Sequence, residues 1–480
     1  MNCGRPNSGG EMCFCSLLKR LEILAVIVLI WSPSLSSSVL SAKFASTPAA
    51  GCRVETRDFN GWKAEQLSNE WVTLTIVPQL GGRLMQVTFA GHPFLFVNPQ
   101  YKGKHFPPLL PGAKPAWYNY GGDKIWPMPE GSQDDQHWPG PIADSLDDGD
   151  YALKILSQDS RCNVWLDGPP DPRTGLQYSR EISIGGDSAE ISFHAVMKNA
   201  ATHPIRWSMQ SVTQYDTSDP RSPATYNHDF WAFTPINTRS AYVEGFHVRS
   251  GLADDPSFAV KDNLFALHWL YLQSEVWLDS PGEWLAVVDK SAHFAMVERF
   301  HYQQAGEYPG KATVIFYKNG PAVDMDAKGM PFIRTNADDA PFYMEAEINS
   351  PIVRLEPGET YTMDTRWYPA RASDQFHTAT EAGVITRPFS VTTTANGIAL
   401  SGSFGVFYPG QISACFYNVN GAEVGIVPLM PASPIELIDL NQQVKILPAA
   451  TRISIRLSDR NGVDRGSLGE ANITFPSGVS

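Results

Sequence analysis

From residue 53 to residue 371 the chain reads as strand after strand, and this sets its fold class. Residues 71–77 (WVTLTIV) alternate in polarity and are rich in β-branched side chains, as a half-buried strand requires. Similar runs at 83–89 and 93–97 follow across Gly81-Gly82 and Gly91-His92-Pro93. Further strands are expected at 152–157, 162–167, 176–184, 190–197 and 205–215, with PPDPRTG, GGDS and KNAATHP as turns between most of them. A later set falls at 284–289, 293–300, 312–317, 342–349 and 361–368. Only residues 374–382 suit a short helix. No repeat of roughly 20–50 residues is visible, which disfavours a propeller or solenoid.

A chain of 480 residues is too long for one ordinary core. Residues 372–387 read as a linker, and 388–476 have a different texture, nearly free of Trp and poor in charge. That segment suits a small β-sandwich of immunoglobulin-like type. The 38 glycines and 37 prolines fit many short strands joined by turns, and 43% hydrophobic residues exclude a disordered chain. With a formal net charge of −13 and no basic patch, nucleic acid is not an expected partner.

The N-terminus has the look of a targeting segment. Lys19 and Arg20 precede an apolar run at 21–31, and a Ser-rich stretch ends at Leu40-Ser41-Ala42. This is the order of a secretory signal, expected to occupy residues 1–42 and to direct the protein out of the cell or into a periplasm. An uncleaved N-terminal anchor is the alternative; after cleavage no stable membrane span is expected. Cys3, Cys13 and Cys15 fall in that segment, leaving Cys52, Cys162 and Cys415. In an oxidising compartment one disulfide is expected, with Cys52–Cys162 favoured; three buried thiols are the alternative. These three cysteines have no metal-ligand spacing.

Residues 117–151 fit neither the strand nor the helix period. They concentrate Trp117, Trp126, Trp138, Tyr118, Tyr120 and Tyr151 beside Lys124, His137 and several acids. Long irregular loops inside compact domains are usually functional. Flat aromatic faces beside polar groups suit a sugar ring, which stacks its C–H face and hydrogen-bonds its hydroxyls. The alternative is a loop whose tryptophans plug the edge of a core. The acidic run Asp144, Asp147, Asp148 and Asp150 lacks the register of a calcium loop and reads as a solvated turn.

Three motifs in order resemble the galactose mutarotase-like superfamily. They are the opening Asn69-Glu70-Trp71-Val72, Val77-Pro78 and Gly81-Gly82-Arg83; the GGDK-x-W-P segment at 121–127; and the closing Glu345, Pro351, Leu355-Glu356-Pro357-Gly358-Glu359 and Tyr368. The middle motif resembles one branch of secreted bacterial proteins, grouped as a domain of unknown function. The resemblance covers residues 54–371 and implies an all-β supersandwich of antiparallel strands, domain 53–371, with a sugar site in its concave face. It also implies a glutamate base near the closing hairpin, which by motif is Glu345, and a histidine acid on the strand at 205–215. That strand has no histidine; Gln210 or Gln214 stands in its place. Glutamine orients a hydroxyl but shuttles no proton.

The expected function is therefore sugar recognition, mono- or oligosaccharide, by a binding protein or a carbohydrate-active one. Candidate catalytic groups are Glu345, His137 and Tyr120. Candidate binding groups are Trp117, Lys124, Trp126, Trp138, Gln214 and Arg83. Each has a bland reading too: a solvated loop histidine for His137, a structural salt bridge for Lys124, a surface or ion-paired carboxylate for Glu345. If the protein is an enzyme, an epimerase-like reaction or oligosaccharide cleavage is expected, including β-elimination through a Tyr/His/Lys set. A structural envelope module is the remaining alternative. No signature of a metal or cofactor appears, and none is expected.

Overall fold

Strands covered on both faces read as continuous apolar runs rather than alternating ones, and Trp284–Asp289 (WLAVVD) is such a strand. Its Leu285 and Val287 enter one core, while Ala286 and Val288 enter another. One large sheet packs against one side of it and a second sandwich covers the other.

The structure, a computed structural model, describes residues 51–109, 113–131, 136–328, 330–334 and 341–474. The segment 1–42 read as a signal lies outside them. Among the described residues a twelve-stranded antiparallel sheet runs in the order Arg53–Phe59, Trp62–Ser68, Val72–Val77, Arg83–Phe89, Asp123–Met128, Ile205–Asp216, Tyr343–Asn349, Val314–Lys318, Ser274–Leu278, His247–Ser250, with two short strands off this path. A ten-stranded sheet runs Phe258–Lys261, Leu264–His268, Phe230–Pro235, Trp284–Asp289, Phe294–Arg299, Thr360–Arg371, Ile191–Asn199, Leu176–Gly185, Arg161–Asp167, Ala152–Ser157. The inner faces of both share one core that includes Leu74, Trp207, Val287 and Trp367. This is the expected all-β supersandwich. Cys52 and Cys162 form a disulfide, the favoured pairing, and Cys415 is a buried free thiol.

The outer face of the ten-stranded sheet is covered by the C-terminal β-sandwich, two sheets of four strands each. Phe233, Val297, Tyr368 and Ala370 share a core with Phe404, Val406, Phe407 and Leu457. Residues 372–387, read as a linker, carry the strand Thr378–Ala379 and the start of Gly383–Thr394. The helix expected at 374–382 is absent, because Thr378 and Ala379 pair with Ile385 and Val384. Local propensity yields there to sheet pairing.

Residues 117–151 also differ from their reading as one irregular loop. Asp123–Met128 (DKIWPM) is a strand inside the twelve-stranded sheet. It pairs with Arg83–Phe89 only at Leu84, so its Pro127 lies beyond that contact and the missing N–H breaks no bond there. Its alternation escaped detection because both faces are buried and both carry polar groups: Asp123 on one, Lys124 on the other. Gly121 enters it at φ 95°, and a Cβ there would lie 2.1 Å from the Phe96 carbonyl oxygen.

Candidate functional site

Strand register assembles the site. Ile205–Asp216 pairs Gln214 with Glu345; Tyr343–Asn349 then pairs Glu345 with Tyr317, which in turn pairs with Glu275. One row along, Lys124 pairs with Val212, Val212 with Glu347 and Glu347 with Ile315. Trp126 pairs with Gln210. Side chains alternate along a strand, so these residues share the face turned away from the ten-stranded sheet. The other parity faces inward: Asp123 meets Arg180, and Tyr215 donates to Glu298.

Above that face lies a cavity of about 520 Å³, within the size range of small-molecule sites. Aromatic side chains Tyr101, Trp117, Trp126, Tyr317 and Tyr343 line it, together with Asn119, Gln210, Glu130, Glu275, Glu345 and Glu347. Gln214 Nε2 donates to Glu345 Oε1 at 2.6 Å, and Lys124 Nζ reaches the same oxygen at 3.5 Å. Gln210 Nε2 donates to Glu347 Oε2 at 2.5 Å. Lys124 Nζ also lies 4.4 Å from the centre of the Trp126 ring, a cation–π distance.

These surroundings separate the two central carboxyls. Burial first, and then the charges of Glu345 and Glu275, push the Glu347 carboxyl well above the ordinary carboxylate range. Burial likewise raises Glu275, against the hydrogen bond from Trp277 Nε1. Burial lowers the Lys124 ammonium, which the Glu345 charge opposes. Glu345 thus has a cation and an amide donor on one oxygen, whereas Glu347 has an amide and like-charged neighbours. A carboxyl held toward its neutral form next to one that contacts a cation supplies the elements of acid–base chemistry.

The wall carrying Trp117 and Trp126 is held from behind by the acidic run. Asp147 Oδ1 accepts from Trp126 Nε1 at 2.7 Å and from Arg83 at 2.6 Å, and its Oδ2 accepts from Trp117 Nε1 at 3.0 Å. Asp144 accepts from Trp138 Nε1 at 2.7 Å and from the backbone N–H groups of Leu146 and Asp147. Asp144, Asp147 and Asp148 are all buried, so the expected solvated turn is instead an anchor inside the fold. Burial raises Asp144 to about 7. Gly81 lets this run approach: a Cβ there would lie 2.2 Å from the Asp147 carbonyl oxygen.

Of the residues singled out from sequence, five come to the site: Trp117, Trp126 and Glu345 line the cavity, and Lys124 and Gln214 lie buried against Glu345. Four others do not. Trp138 is fully buried behind Trp126, ring centres 5.2 Å apart, with no face for a sugar. Arg83 is buried and consumed by Asp147 and the Gly121 carbonyl. Tyr120 packs against Trp62, its hydroxyl accepts from the Phe106 N–H, and burial raises its pKa, which unfits it as acid or base. His137 lines a separate cavity of about 710 Å³ with Arg173 and Arg206. Aromatic density in sequence thus mixed two roles, a wall and its backing. Glu347 and Glu275 are among the cavity-lining polar groups outside the chosen candidates, as are Glu130, Gln210 and Asn119. The alternation of FYMEAEIN and of SEVWL, with glutamates where a strand should be apolar, was the signal of the first two.

Among the described residues no set of His, Cys, Asp and Glu side chains is arranged to hold a metal ion. No protein-family model matches the chain, and no curated protein matches it. Solved structures do. The large domain resembles galactose mutarotase-like folds at low identity. A galactose mutarotase-like protein from Clostridium acetobutylicum is 10% identical, at TM-score 0.40, over 67% of this chain and 99% of the other. One from Lactobacillus casei is 9% identical, at TM-score 0.40, over 64% and 99%. A TPR-domain containing protein from Parabacteroides distasonis is 16% identical, at TM-score 0.40, over 66% of this chain, and the match spans 48% of that longer protein.

Proposed function

We propose that the protein is a secreted carbohydrate-active protein that holds a sugar in the cavity on the twelve-stranded sheet and exchanges protons with it. The observation that carries this reading is Glu345, held by Lys124 and Gln214, facing a cavity walled by Trp117 and Trp126. The indole faces stack on the C–H face of a pyranose, and Gln210 and Asn119 meet its hydroxyls. Glu345, beside Lys124 and Gln214, takes a proton; Glu347, favoured in its neutral form, gives one. Such a pair supports opening and closing of a sugar ring without the histidine that residues 205–215 lack. The disulfide between Cys52 and Cys162 fits an oxidising compartment and so supports the secreted reading.

Binding without turnover is the second reading. It is favoured by Gln214 standing where a titrating group is expected. A glycan-array screen of the full chain, followed by anomeric-exchange and reducing-end assays on each hit, separates the two. The expected result is a saccharide hit that Trp126→Ala abolishes, with turnover lost in Glu345→Gln while binding persists. Saccharide hits with no turnover would establish the binding reading. Unchanged binding and unchanged turnover in both variants would overturn the site.

A further inference from the structure

The cavity is wide across the strands. Trp126 lines it from the strand Asp123–Met128, and Glu275 lines it from Ser274–Leu278. Between these two run Ile205–Asp216, Tyr343–Asn349 and Val314–Lys318. Neighbouring strands stand about 4.8 Å apart, so the four intervals make a floor about 19 Å across. The O1 and O4 atoms of one pyranose lie about 5 Å apart, as bonds of about 1.5 Å require. One ring therefore covers only part of the floor. Glu345 and Glu347 stand on its middle strand, with two intervals on either side.

Both ends carry groups that suit a sugar. At the near end Trp117, Asn119 and Pro141 come from loops and close the cavity beside Trp126. At the far end Glu275, half-buried, accepts the Trp277 Nε1–H. A carboxyl in either protonation state keeps further acceptor capacity for hydroxyls. Ile315 lines the cavity and pairs with Trp277, a half-buried indole in the same row. Trp277 pairs in turn with His247 on the edge strand. Register shifts there between Val248 and Ser250, a bulge that re-aims the side chain between them. That side chain, Arg249, is exposed, with its guanidinium 5.8 Å from the Trp277 ring centre. Polar and aromatic groups thus continue from Glu347 to the edge of the sheet. A monosaccharide at Trp117 and Trp126 reaches none of those beyond the middle strand. A chain of pyranoses does, since each unit brings its own C–H face and hydroxyls.

We infer that the cavity takes an oligosaccharide of about three to four units, laid across the strands from Trp117 and Trp126 to Glu275 and Arg249. This rests on the saccharide reading above and narrows it to a substrate class.

Calorimetric titration of the full chain tests it with the malto-, cello-, manno- and galacto-oligosaccharide series, each from monosaccharide to hexasaccharide. In a series that binds, the trisaccharide is expected to bind about tenfold or more tighter than the monosaccharide, with the gain levelling off by about four units. Glu275→Ala is expected to weaken the trisaccharide more than the monosaccharide, so that the ratio of their affinities falls toward one. If that variant is not folded by circular dichroism, Arg249→Ala, at an exposed site, serves the same purpose with the tetrasaccharide. A monosaccharide binding as tightly as its trimer would overturn the length inference and leave the saccharide reading standing. A gain that continues through the hexasaccharide would overturn the floor as the footprint of the chain. An unchanged ratio in the folded variant would overturn the placement over Glu275 and Arg249. No binding in any series would overturn both readings.

Discussion

On its even-numbered side the strand Ile205–Asp216 presents Gln210 and Gln214 to the cavity glutamates Glu347 and Glu345; on its odd-numbered side it presents Ser211, Thr213 and Tyr215 to the opposite sheet. Both sides are buried and both approach carboxylates. On the inner side the groups match. Asp123 takes the Arg180 guanidinium and the hydroxyls of Thr213 and Ser211, and Glu298 takes the Tyr215 hydroxyl at 2.5 Å. On the outer side Glu345 and Glu347 line a cavity, and burial with like-charged neighbours drives Glu347 toward its neutral form. A buried charge that is fully paired serves the fold; perturbed carboxyls beside a cavity mark a candidate site.

The comparison breaks most visibly at Arg180. Removing one partner of a fully buried pair strands the other, so Arg180→Ala is expected to lose ~3–5 kcal/mol of stability in a denaturant titration. A variant as stable as the parent would mean that the inner pair is no more structural than the outer groups.

Glu298 tests the inner side through pH. Burial first, with a further push from Asp123, raises its pKa from 4.5 to about 8, against the Tyr215 hydrogen bond. The folded value lies above the unfolded one, so the folded state binds the proton more tightly. That contribution is complete below about pH 4.5 and is lost as pH rises through 8. Between pH 5 and pH 8 the parent should lose about 3 kcal/mol that Glu298→Gln, neutral throughout, retains. Parallel stability–pH curves for the two proteins would place an ionised glutamate in the core and reverse the assignment.

How legible these regions were in sequence follows from the same two faces. Strands with one apolar face, such as Val72–Val77, announce themselves by alternation, and so do the long antiparallel runs that build the ten-stranded sheet. Asp123–Met128 did not, since polar groups occupy both its sides. The strands from Phe230 to Leu278 were equally unread; apart from the hairpin of Phe258–Lys261 with Leu264–His268, their partners are distant in sequence, and pairing rather than propensity fixes them. Glu345, Lys124 and Gln214 could be named, but that they share one face depends on the register of three strands. Trp138 and Arg83 look from sequence like site residues because a backing layer has the same composition as the wall it supports. What separates them is burial: Trp138 lies behind Trp126, bound to Asp144, and Arg83 is enclosed by Asp147 and the Gly121 carbonyl.

The smallest effect on stability, and the one that sharpens the comparison furthest, is expected on the outer side. Replacing Glu347 with glutamine removes a carboxyl that burial and its neighbours already hold neutral, and keeps a group that can meet Gln210. Stability should therefore change by less than about 1 kcal/mol, or rise, because relief of like-charge crowding offsets any loss of packing. The same holds for Glu345→Gln only so far as Lys124 can shed its proton or reach solvent, so its loss should be the larger of the two. Saccharide affinity or turnover should fall about tenfold or more in both. Thermal unfolding and titration of the two variants side by side give the readout. A large loss of stability in Glu347→Gln with sugar binding intact would put this face in the same class as Asp123 and Arg180, and the cavity would then be a by-product of folding rather than its purpose.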